Sequence, residues 1–91
     1  MQDIRQQLRD EGLSHIYEWT DKPNTEYPEH AHKGRVSFFV TKGSIVMNIA
    51  GEEKLVQEGE RIDVPVGVSH AGKVGPIGCA FIVGEEIEGD S

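Results

Sequence analysis

Gly59-Glu60-Arg61-Ile62-Asp63-Val64-Pro65-Val66-Gly67-Val68-Ser69-His70 is the stretch on which the fold turns. Gly59 opens a tight turn, and Arg61 to Val64 has the length and β-branched content of a short strand. Pro65 cannot donate to a ladder and ends that strand, while Gly67 tolerates the positive φ that swings the chain back. A new strand then begins at His70. By itself the segment is a strand between two turns, and His70 is either a surface residue or a side chain delivered to a site by the turn before it.

The same punctuation runs outward in both directions. Upstream, Ser14–Thr20, Arg35–Lys42, Ile45–Ala50 and Lys54–Gln57 are short runs rich in Val, Ile and aromatic residues, and Ile77–Val83 follows downstream. Asp21–Asn24, Gly43, Gly51, Gly59 and Pro65–Gly67 separate them, leaving no gap wide enough for a crossover helix. Such spacing predicts an all-β antiparallel sandwich or barrel. The exception is residues 1–12, where Ile4 and Leu8 lie four apart among polar residues and Gly12 follows, the pattern of one short amphipathic helix. Residues 84–91 are acidic and Gly-bearing, which reads as a solvated tail. The 91 residues form one domain, 1–91, with no internal repeat.

Composition narrows the partners. Sixteen acidic against nine basic side chains give a net charge of −7, and no Lys/Arg run tracks a phosphate backbone, so nucleic acid is not an expected partner. Cys79 is the one cysteine, which excludes an intrachain disulfide and fits a reducing cytoplasm. No apolar run is long enough to cross a bilayer, so no membrane partner is expected. A chain this short buries only about 60–65% of its unfolded surface, so a bound metal, a partner subunit or a closed sheet should contribute to stability.

The richest chemistry precedes Gly43. In an extended segment, side chains at i and i+2 leave the same face about 6.5–7 Å apart at Cα. The rings of His30 and His32 can therefore converge on one ion at about 2.0–2.1 Å from each nitrogen. Read alone, the pair is equally an exposed or loop-packing one.

Together the two segments resemble the cupin family. His30 to Gly43 is similar to the first cupin motif, His-x-His with a glycine at the expected distance, and Gly59 to His70 matches every fixed position of the second, Gly-x5-Pro-x-Gly-x-x-His. The resemblance implies a double-stranded β-helix, the cupin jelly-roll barrel, with one divalent metal ion held by His30, His32 and His70. Two family positions are not filled: the carboxylate of the first motif falls at Val36, or Ser37 if the gap is one longer, and an asparagine after the last histidine falls at Val74. Glu29 is adjacent to His30 and is sent to the opposite face of a strand. Three neutral imidazoles leave the ion its full charge, favouring anionic ligands. Imidazole ligation suits Zn, Fe, Ni or Cu, with at least one coordination position open.

Around that centre, alternation puts Val36 and Phe38 on one inward face, with Tyr27 at the mouth and Cys79 either in the core or facing the cavity. His15 reads as a surface residue. No residue is nominated as catalytic. The expected function is a small metal-binding cupin whose apolar pocket binds or acts on a small anionic or chelating ligand. Two alternatives stay open: a non-catalytic ligand-binding or structural cupin with weak or no metal, and an iron dioxygenase, since cupins with three histidines and no glutamate include such enzymes. Open sheet edges suggest a homodimer.

Overall fold

The computed structural model describes residues 3–86. One helix, α1 (Ile4–Asp10), precedes six strands: β1 (His15–Asp21), β2 (Glu26–His30), β3 (Val36–Ile49), β4 (Glu52–Gln57), β5 (Arg61–Val64) and β6 (His70–Glu85). All strand pairs are antiparallel, as the absence of crossover segments requires.

Two long strands organise everything else. β3 and β6 pair along nearly their whole length, from Val36 opposite Glu85 to Ile49 opposite His70, with register shifts between Val40 and Lys42 and between Gly43 and Ile45. At those shifts the ladder bends. On one side of the bend, β1 pairs with β6 and β5 pairs with β3; on the other, β2 pairs with β6 and β4 pairs with β3. Gly43 (φ 79°) and Gly78 (φ 88°) permit the bend, because a Cβ on Gly43 would overlap the Gly78 carbonyl oxygen.

The inner faces enclose one main core containing Val36, Val40, Ile45, Met47, Val56, Ile62, Val64, Val74, Cys79, Phe81 and Val83. A smaller cluster lies on the outer face, where α1 lays Leu8 against Leu13 and Ile82, flanked by Ile4, Ile16 and Phe39. Asp3 caps the helix by accepting from the Arg5 N–H at 2.9 Å. Past the helix, Arg61 donates to both Glu11 oxygens at 2.5 and 3.0 Å and to Asp63 at 2.9 Å, so it clamps the helix end to β5. The edge strand β4 reads Glu-Glu-Lys-Leu-Val-Gln and is exposed except at Val56, a charged edge that discourages strand addition.

The all-β expectation with one short helix is met, and the strands differ from it in several places. β2 is a further strand, tolerated despite Pro28 because it lies at an edge and carries a register shift between Tyr27 and His30. β3 runs through Gly43 without ending there. β6 starts at His70, as the turn before it predicts, but runs unbroken into the Ile77–Val83 stretch: the segment between lacks β-branched alternation and is held extended by pairing with β2 and β3. Gly84 and Glu85, expected in a solvated tail, are the last residues of β6 and are buried and half-buried. The remainder of that tail, residues 87–91, lies outside the described residues.

Candidate metal centre

Three separate elements deliver the three histidines. β2 ends at His30, whose Cα partner is His70 at the start of β6, so the ladder sets these two side by side. Their ring centroids are 4.3 Å apart. His32 lies in the loop after β2 with its ring centroid 4.8 Å from that of His30 and 5.0 Å from that of His70. The turn before β6 holds this loop: the Gly67 N–H donates to the His32 carbonyl at 3.0 Å, with Gly67 at φ 72°.

One imidazole nitrogen from each of His30, His32 and His70 lies within 4.8 Å of the other two. Tetrahedral ligation at about 2.1 Å needs nitrogens about 3.4 Å apart, a separation within reach of small ring rotations. The tautomers suit that role. His30 Nδ1 lies 2.8 Å from the Pro28 carbonyl oxygen and His70 Nδ1 lies 3.4 Å from that of Val68. A carbonyl only accepts, so Nδ1 is the donating nitrogen in each contact and Nε2 is the ring atom left to ligate, the usual outer support of a ligating histidine. Burial holds the His70 imidazole below the ordinary histidine value, and nearby His30 and His32 add to the effect against the opposing bond to Val68. A neutral ring is the form that ligates. The three side chains therefore fit a divalent ion.

Beside the histidines opens a cavity of about 240 Å³ lined by Tyr17, Trp19, Tyr27, His30, His32, Phe38, Ile45, Phe81, Val83 and Glu85. Phe38 and Phe81 meet edge to face at 5.7 Å. Tyr27 donates a short hydrogen bond to Asp21, and Trp19 Nε1 donates to Asp21 at 3.0 Å and to the Tyr27 hydroxyl at 3.1 Å, which fixes the two rings. Burial and Asp21 push the Tyr27 phenol up to about 12. Tyr17 donates to Glu85 Oε2 at 2.6 Å, and burial with this partner drives its phenol well above the ordinary tyrosine range.

Of the residues named from sequence, Tyr27 and Phe38 lie on this wall. Val36 and Cys79 do not: both face inward but are buried in the core, Val36 at 3% exposure and Cys79 at 3%. Burial also raises the Cys79 thiol to about 11, so it stays protonated. Glu29 is exposed and stands outside the histidine cluster, and His15 is exposed on β1. Tyr17, Trp19 and Glu85 were not anticipated. The alternation Tyr17-Trp19-Asp21 was the available signal for the first two, because it places an aromatic-polar stripe on one face of β1.

The Cupin domain family matches residues 17–74, well over half of the chain. Comparison with curated proteins yields no match. Among solved structures, an RmlC-like cupin from Shewanella frigidimarina is 26% identical with a TM-score of 0.70, over 82% of this chain and 68% of that one. The polyketide cyclase RemF from Streptomyces resistomycificus is 29% identical with a TM-score of 0.71, over 80% of this chain and 54% of that one. The DMSP lyase DddQ from Ruegeria pomeroyi shares the fold at 18% identity, with a TM-score of 0.74 over 84% of this chain and 39% of that one. With the histidines of both motifs present, the bent β3–β6 ladder and the family match over residues 17–74, the chain belongs to the cupin domain family.

Proposed function

We propose that this cupin holds one divalent metal ion through His30, His32 and His70 and binds a small chelating organic ligand on the ion's open side. The observation that carries the reading is the convergence of three imidazoles from β2, its following loop and β6, two of them with Nδ1 turned to backbone carbonyls. Three protein ligands leave coordination positions for a ligand, as in catalytic rather than closed structural sites. A bound ion would supply Lewis acidity, polarising the ligand's oxygen atoms.

The chain's own residues define the ligand class. Trp19, Tyr27, Phe38 and Phe81 offer flat apolar surface, and the tyrosine and indole donors are already engaged within the wall. A planar, oxygen-bearing molecule that fills about 240 Å³ suits this lining better than a compact ion. The RemF relative at 29% identity, described as a polyketide cyclase, supports oxygen-rich ligands of that kind.

Thermal unfolding of chelator-treated, untagged protein with added Zn, Fe, Ni or Cu salts tests the metal reading. At least one should raise the melting temperature in a concentration-dependent way. If none does, the reading fails.

A further inference from the structure

Among the described residues lining the cavity, Glu85 is the one carboxylate. It continues the inward alternation of β6 after Cys79, Phe81 and Val83. Its Cα partner on β3 is Val36, where the resemblance puts the acid of the first motif (Ser37 if the gap is one longer), and directly opposed residues of an antiparallel pair share a face. The acid missing from one strand thus has a counterpart on its neighbour. Glu85 also shares a second cleft with His32 and Val36.

Glu85 is held by a hydroxyl and not by a cation. The Tyr17 hydroxyl donates to it at 2.6 Å, which uses one of its roughly four acceptor sites. Among the described residues no Lys or Arg pairs with it, and the nearby Arg35 reaches Glu86 instead, at 3.4 Å. Glu85 lines the cavity but does not join the cluster of His30, His32 and His70. A carboxylate in a mostly apolar wall near a cation does two things to a ligand. It attracts a hydrogen-bond donor, and it repels a second negative charge.

We propose that Glu85, held by Tyr17, sets ligand specificity at this centre: it accepts a hydrogen bond from a hydroxyl or N–H of a metal-chelating ligand and disfavours simple anions. This rests on the metal reading above. It also revises the expectation of a fully cationic pocket, since the carboxylate offsets one of the ion's two charges.

Cobalt(II)-loaded protein, titrated with azide and with acetohydroxamate and followed by its visible spectrum, tests the idea. Azide carries no hydrogen, whereas acetohydroxamate chelates through oxygen and keeps an N–H donor. Glu85→Gln should weaken cobalt binding by less than about tenfold, the loss of an attracting charge outside the ligand set, and should tighten azide about threefold by removing a like charge. In Glu85→Ala the preference for acetohydroxamate over azide should fall about tenfold, and Tyr17→Phe should move it the same way by less. A merely structural role would alter melting temperature or cobalt affinity and leave that preference alone. Wild-type protein that takes up no cobalt overturns the metal reading and this proposal together. Cobalt uptake with an unchanged preference in Glu85→Ala overturns this proposal alone, as does a loss of cobalt affinity beyond about tenfold in Glu85→Gln, which would make Glu85 a ligand.

Discussion

Gly67 donates its backbone N–H to the carbonyl oxygen of His32 at 3.0 Å, so the turn of the second motif holds the loop of the first. The glycine sits at φ 72°, and no heavy atom lies within 4 Å of the point a Cβ would occupy, so Gly67→Ala adds backbone strain and no clash. The expected cost is on the order of 1–2 kcal/mol. Because the strain bears on the bond to His32, metal affinity should fall along with stability. Urea unfolding and metal titration of the variant check this; lowered stability with unaltered metal affinity would dissociate the turn from the site.

The bend at Gly43 makes a sharper demand. Gly43→Ala meets both a positive φ and the Gly78 backbone, whereas Gly51→Ala meets a positive φ of 86° with nothing within 4 Å. The first should cost about 3 kcal/mol or more and the second about 1 kcal/mol. Equal losses in urea unfolding would mean that the two long strands do not meet closely at that point.

Alkaline pH should destabilise the protein through its two tyrosines. Tyr27 is raised to about 12 from the ordinary 10.0, chiefly by burial and next by Asp21, and Tyr17 is raised further by burial and Glu85. Folded-state values above the unfolded one mean that the fold favours the protonated phenols. Their contribution is complete below pH 10 and is lost as pH rises through about 12. An ultraviolet titration should detect little phenolate in native protein at pH 10.5, where about three-quarters of the unfolded protein's phenols are ionised. Native phenolate appearing at the same pH as in urea would contradict the packing of this wall.

Much of this was legible in the residues because the decisive constraints are local. Gly59, Pro65 and Gly67 fix turns by backbone chemistry, and turns set where strands begin, so His70 could be read as a strand-opening residue. The alternation of Val36 and Phe38 likewise gave the inner face of β3. What alternation could not give is depth along that face: Val36 is packed into the core while Phe38 reaches the cavity, a difference set by neighbouring strands. Glu85 was illegible for a related reason. Its acidic, Gly-flanked surroundings read as solvent, yet pairing with β1 and β3 on both sides draws it inward. The β2 strand was hidden by Pro28, which an edge tolerates and a central strand would not.

The central claim is that His30, His32 and His70 form one metal centre, and calorimetric titration of metal-free, untagged protein with zinc or cobalt addresses it most directly. One ion per chain should bind to the wild type and to His15→Ala, while His70→Ala, which removes the buried member of the set, should lose at least tenfold in affinity. No binding by the wild type, or equal binding by His15→Ala and His70→Ala, would contradict the account.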